Sequence, residues 1–205
     1  MSRLAIIGTG GHARECIEAA RAVGHEIVGL LDEDSARWNT KVLGITVSDG
    51  GLSAATGFDG DVEWLIAVGD NRARSNIATR LPNLSFATLI HPFSWISPSA
   101  SIAPGAMIFA GCVVQSGVSV GQHAIMNTSS SLSHDCVAGD FCHVAVGVHL
   151  AGNVTVGQGA IIGAGVTARP GVMVGNWATI GAGSALVSDI PDGATAYGDA
   201  NAVPR

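Results

Sequence analysis

From Ile96 onward an apolar residue recurs at every sixth position: Ile96, Ile102, Ile108, Val114, Val120, Met126, Leu132, Ala138, Val144, Leu150, Val156, Ile162, Ala168, Val174, Ile180 and Leu186. All sixteen positions fit without an insertion. Four residues after each stands a compact residue, running from Ala100, Ala106 and Cys112 to Ser184, with Ile190 the one larger member. Neither a strand period of two nor a helix period of 3.6 produces this pattern. A six-residue repeat marks a parallel β-helix, in which three hexapeptides close one coil and stacked coils share a continuous apolar core. The sixteen hexapeptides therefore encode about five coils. The closing segment PDGATAYGDANAVPR breaks the period and is expected to form a cap or tail.

The repeat also explains an odd composition. The 205 residues include 28 glycines, roughly twice ordinary usage. Only 26 are charged (10 Lys+Arg and 16 Asp+Glu). Residues 1–80 hold eight of the basic and eleven of the acidic groups, whereas 96–191 hold four charges: Asp135, Asp140, Arg169 and Asp189. A stacked core needs little charge, and glycine suits corners where φ turns positive. No run approaches the roughly 18 apolar residues of a membrane span, so a soluble protein without membrane partners is expected. A net charge of −6 argues against a nucleic-acid partner. The N-terminus MSRLAIIGTGG carries no secretory pattern, and four cysteines make no disulfide scaffold, so a reducing cytoplasm is the expected compartment. Cys112, Cys136 and Cys142 occupy the compact, inward slot and read as buried thiols.

The first half follows a different grammar. LAIIG (4–8) reads as a buried strand and ARECIEAARAVG as a helix with Cys16, Ala19, Ala20 and Val23 on one face, closed by Gly24. EIVGLLDED reads as a second strand, EWLIAVG (63–69) as a third, and NRARSNIATRL as a helix that stops before Pro82. Strand, glycine turn, helix and strand form a βαβ unit. About 90 residues are too few for both mononucleotide halves of a dinucleotide fold, so a small Rossmann-like domain is expected. The sequence thus divides into an α/β domain at 1–90 and a β-helix at 91–205.

Two places can carry chemistry. GTGGHA (8–13) satisfies G-x-G-x-x-G/A between a strand and a helix, where glycine admits close backbone approach and a helix N-terminus favours phosphate. Asp32 and Glu33 follow about 20 residues later, where a ribose-binding carboxylate is expected. In the β-helix, His134 lies in NTSSSLSHDC directly before Asp135. A carboxylate beside an imidazole can fix its tautomer, as a general base requires. Adjacent strand residues point to opposite faces, so the two meet only if a turn intervenes. His143 follows nine residues later, on an adjacent face of the same coil, from which it could reach the same groove. Ile-Gly-Ala-Gly at 162–165 recurs at 180–183, so the two copies should stack one coil apart and expose backbone groups to a long ligand. His25, His123 and His149 read as surface or core histidines.

The segments IIGTGGHARE, AVGDNRARSNI, LIHPFSWISPSA, NTSSSLSHDC, FCHVAVG and LAGNVTVG, in this order, resemble the NeuD/PglD-type sugar acyltransferases across nearly the whole chain. The resemblance implies a left-handed parallel β-helix and a homotrimer with acetyl-CoA in grooves between neighbouring β-helices. It also implies a nucleotide-linked amino sugar held on the first domain. It makes His134 the general base and Asp135 the acid that activates it, where some relatives have glutamate. It places His143 at acetyl-CoA near the thioester, Ala164 and Ala182 as backbone contacts to that co-substrate, and Gly10, Gly11, His12, Asp32, Glu33 and Gly69 around the nucleotide sugar. The family usually ends in a GVPA-like segment, whereas this chain has Tyr197-Gly198-Asp199-Ala200-Asn201.

The reaction expected is direct acetyl transfer to the amine of a UDP- or GDP-linked 4-amino-deoxy sugar in surface glycan biosynthesis, with no metal and no cysteine nucleophile. Sialic-acid-type O-acetylation is the runner-up. A non-enzymatic nucleotide-sugar-binding protein and a zinc-dependent β-helix hydratase using His123, His134, His143 and His149 are further alternatives.

Overall fold

The computed structural model describes residues 2–58 and 60–198. The chain divides into two compact units, Met1–Pro92 and Phe93–Arg205.

In the first unit, β1 (Arg3–Ile7) lies between β2 (Glu26–Leu31) and β5 (Val62–Ile66) in a parallel sheet of order β2-β1-β5, with a short β3 (Lys41–Val42) and β4 (Ile45–Thr46) hairpin. These strands are near-continuous aliphatic runs because both faces of a parallel sheet are covered. Helix α1 (Gly11–Val23) buries Ala13, Cys16, Ile17, Ala19 and Ala20, and Gly24 ends it at φ 93° with its N–H on the carbonyls of Ala20 and Arg21. Val23, expected on the buried face, is 43% exposed, because the buried stripe ends one turn earlier at Ala20 and draws in Ile17 instead. Helix α2 (Asn71–Arg80) is capped by Asp70, whose carboxylate accepts the Ala73 N–H. The core of the unit joins Ile7, Leu31, Trp64, Ile66 and Ile77, with Phe58 edge-on to Trp64 at 5.0 Å. The chain reverses sides at β1, so the loops after β1, β2 and β5 gather at the carboxyl ends of the strands, where α/β sheets bind ligands.

The second unit is a parallel β-helix with three faces. Each hexapeptide contributes a two-residue strand whose second residue points inward and is mostly buried. The first face carries the strands Val113–Val114, Ser131–Leu132 and His149–Leu150; the second carries Ser119–Val120 and Val137–Ala138; the third carries Ile125–Met126 and His143–Val144. Partners lie 18 residues apart, as in Ser131 against His149, and each coil donates its N–H groups to the next, as in Val113 to the Ser130 carbonyl at 3.0 Å. The core is therefore a set of vertical stacks. Cys112, Cys136 and Cys142 fill inward slots at 1% exposure or less, and burial raises the Cys112 and Cys136 thiols above their ordinary range.

Two expectations are corrected and a third is refined. First, the described residues form six coils rather than five, since Thr195–Ala196 pairs with Thr179–Ile180 and completes a coil within the segment expected as a tail. Second, Ile190 is not an oversized compact residue. It bridges Val174, sixteen residues back, and so fills the main aliphatic slot of a coil shortened by two residues. Asp189 and Asp192 hold this shortened coil, their carboxylates accepting the N–H groups of Met173 at 2.8 Å and Asn176 at 2.7 Å. Third, glycine takes eight of the positive-φ corners, as expected, but shares the rest with other residues. Positive φ recurs every sixth residue from Gly105 to Gly183, and six of those fourteen positions are His123, Ser129, Asp135, Phe141, Asn153 and Trp177. His123 and Phe141, one coil apart, stack with ring centroids 5.1 Å apart, so the His123 imidazole is buried in a corner stack.

Candidate active site

His134 and Asp135 form the corner between the first and second faces. Asp135 has φ 60°, which turns the backbone so that two consecutive side chains meet instead of diverging. His134 Nδ1 stands 2.9 Å from Asp135 Oδ2, with both side chains 60% exposed. Aspartate tolerates the left-handed region better than most residues, so the strain of this corner is modest. The carboxylate on Nδ1 selects the Nδ1–H tautomer of the neutral ring and leaves the Nε2 lone pair available to accept a proton.

Two residues not singled out in the sequence flank this pair. Gly152 lies one coil above His134, and Gly117 one coil below Asp135; a Cβ at Gly117 would stand 2.5 Å from Asp135 Oδ1. Both sit 18 residues from the pair, a signal the period itself offered. His143 lies on the third face, between Ile125 and Ile161 in register, with its Nε2 3.4 Å from the amide nitrogen of Asn127. That face is opposite the corner carrying His134, so one chain does not bring the two histidines together as expected. Ala164 and Ala182 stack on the corner between the third and first faces, both exposed, and the Ala164 carbonyl accepts the Gly183 N–H at 2.8 Å. Tyr197 lies over Gly181 next to Ala182. Asp199, Ala200 and Asn201 of the atypical tail lie outside the described residues. Within one chain His123, His134, His143 and His149 do not converge, for His149 pairs with Ser131 at 2.8 Å. Among the described residues no three His, Cys, Asp or Glu side chains group as a metal site.

The first unit presents its own cluster. Gly8 has φ 107°, and a Cβ there would stand 2.8 Å from the Ala67 carbonyl oxygen, so this glycine serves the fold. A Cβ at Gly10 or Gly11 would meet nothing within 4 Å, which leaves open space at the N-terminus of α1. Burial, and then the positive charge of Arg74, lower the His12 pKa to about 4, so the ring is neutral at pH 7 and adds no cation for a phosphate. Asp32 accepts the Thr9 hydroxyl and the Asp34 N–H, while Glu33 pairs with Arg80 at 2.6 Å. Arg74, fully buried, donates to the carbonyls of Val68 at 2.8 Å and Gly69 at 3.2 Å and to Asn71 Oδ1 at 2.7 Å, and so fixes the loop after β5 beside His12. A cleft of about 680 Å³ is lined by Thr9, Arg14, Asp34, Arg37 and Lys41. None of its three cations was singled out, because exposed arginine and lysine carry no periodic signal.

The chain is similar to several proteins of known structure. The PglD N-terminal domain model matches residues 3–81. The acetyltransferase domain of PglB from Neisseria gonorrhoeae, solved in complex with acetyl coenzyme A, is 35% identical, covering 99% of this chain and 98% of that one with a TM-score of 0.90. PerB from Caulobacter crescentus, solved with CoA and GDP-perosamine, is 34% identical over 100% of this chain and 98% of that one with a TM-score of 0.92. WeeI from Acinetobacter baumannii shares the fold at 18% identity, covering 99% of this chain and 100% of that one with a TM-score of 0.77. With a relative above 30% identity aligned over nearly its full length, the chain belongs to the NeuD/PglD-type sugar acyltransferase family.

Proposed function

We propose that the protein transfers the acetyl group of acetyl-CoA to the amine of a nucleotide-linked 4-amino-deoxy sugar, with His134 as general base. The observation that carries this reading is the His134–Asp135 contact at 2.9 Å on an exposed corner. The sugar nitrogen attacks the thioester carbonyl carbon, a C–N bond forms and the oxyanion collapses with cleavage of the C–S bond. The amine proton passes to His134 Nε2 and on to the departing thiolate. General-base assistance of this kind contributes about 10²–10⁴-fold. No thiol of the protein is needed, in keeping with the burial of all four cysteines.

We assign residues 91–205 to acetyl-CoA, held by His143 and by the backbone at Ala164 and Ala182. Since the Ala164 carbonyl already bonds Gly183, its amide is the group left for the ligand. The separation of His143 from His134 around the coil supports a homotrimer, in which a second chain supplies the acetyl-CoA side of the groove. We assign residues 1–90 to the nucleotide sugar. Gly10 and Gly11 leave room for a diphosphate, Asp32 and Glu33 face the ribose, and Gly69 and neutral His12 hydrogen-bond nearby. Arg14, Arg37 and Lys41 balance its charge in a cleft of ligand size. No helix among the described residues is long and apolar enough to cross a membrane, and we place the reaction in the cytoplasm.

The test offers acetyl-CoA with UDP- and GDP-linked 4-amino sugars, and separately with sialic acid, and reads free CoA thiol. Release with an amino sugar is expected. Release with sialic acid alone would replace N-transfer by O-transfer, and no release together with no acetyl-CoA binding by calorimetry would make the chain a non-enzymatic binder.

A further inference from the structure

The corner that carries His134 recurs from coil to coil, and its first position is Pro98, Ser116, His134, Gly152 and Pro170 in the first five coils and Ser188 in the shortened sixth. Side chains are therefore accommodated at this position in the other coils. The glycine falls directly above His134. Its φ lies outside the left-handed region, so the backbone does not call for glycine there. What calls for it is the imidazole: a Cβ on Gly152 would stand 2.5 Å from His134 Cε1 and 3.1 Å from Cδ2, and would also overlap Nε2. The ring covers Gly152, which is buried while the next residue, Asn153, is exposed.

We propose that Gly152 is a positioning residue, whose missing side chain forms the seat that holds the His134 imidazole against Asp135. The backbone at this seat is pinned on both sides. Asn153 N–H donates to the His134 carbonyl at 2.9 Å, and Gly171 N–H donates to the Gly152 carbonyl at 3.0 Å. The ring, 60% exposed, is held by its side-chain contact with Asp135 rather than by backbone bonds. A methyl group at position 152 therefore displaces the ring toward solvent rather than moving the coil, and the contact with Asp135 is lost while the β-helix stays intact. Misplacement of a catalytic group by about 1 Å costs on the order of 10²-fold in rate. The proposal rests on His134 being the base and adds the structural reason for its orientation.

The experiment compares Gly152→Ala, His134→Ala, Asp135→Asn and their pairwise combinations. Gly152→Ala is expected to lower kcat about 100-fold with KM for acetyl-CoA unchanged. Asp135→Asn, strongly impairing alone, should add little in the Gly152→Ala background, because both act through one contact. In thermal melts Gly152→Ala should cost nothing when His134→Ala has already removed the ring. A wild-type kcat in Gly152→Ala with His134→Ala inactive would overturn the seat and leave the base in place. Full activity in His134→Ala would overturn the base itself. A Tm loss from Gly152→Ala that persists without the imidazole would show that the glycine serves the backbone, and would also overturn the seat.

Discussion

The two units place their functional side chains by different means. In the β-helix a residue's neighbours are its own position plus or minus 18, so Gly117 and Gly152 around the His134–Asp135 pair follow from counting. In the α/β unit the neighbours come from distant segments: Asp32 meets Thr9, Glu33 meets Arg80, and Arg74 reaches back to the loop at Val68 and Gly69. A repeat makes geometry local in register and hence readable. An open sheet makes it depend on tertiary packing. The chain combines a periodic unit that carries the His134–Asp135 pair with an irregular unit that holds a charged cleft.

This contrast breaks first if the units share their stability. Arg74→Met removes the donor for two carbonyls and Asn71 in a buried setting, and should destabilise the α/β unit by about 3 kcal/mol or more. Calorimetry should show the first unit melting earlier with the β-helix transition unmoved; an equal shift of both would end the separation. His12 gives an effect of similar size that depends on pH. Its folded pKa of about 4 lies below the ordinary 6.5, so the unfolded chain takes a proton that the folded chain refuses. Stability from this group is present above pH 6.5 and lost as pH falls toward 4, by about 3 kcal/mol in all. His12→Gln should flatten urea-denaturation midpoints of the first unit across that window; an unchanged pH dependence would assign the acid sensitivity elsewhere. A smaller effect is expected at the cleft. Lys41→Ala should raise KM for the nucleotide sugar about tenfold, the equivalent of one charge-assisted contact, and leave acetyl-CoA affinity alone. A parallel loss for acetyl-CoA would mean the two ligands are not divided between the units.

The sequence carried much of this and missed some of it for physical reasons. The sixteen-fold period and the three cysteines in inward slots were legible, since a stacked core repeats its demands every six residues. Ile190 was misplaced because a two-residue shortening changes the register without changing the residue type. The meeting of His134 and Asp135 could not be read from alternation, because it depends on a left-handed backbone at a residue other than glycine. Arg74 gave no signal, as a buried arginine in a helix is indistinguishable by sequence from an exposed one. His143 was legible as a residue but not as a location, since nine residues carry it past the second face to the side away from His134.

As the proposed base, His134 acts in transfer and not in binding. The most direct measurement is acetyl transfer by His134→Ala at saturating acetyl-CoA and amino-sugar acceptor, read as free thiol, beside acetyl-CoA titration of the same variant. The expected result is a loss of about 10²–10⁴-fold in kcat with acetyl-CoA affinity retained. Turnover within a few-fold of the parent protein would contradict it.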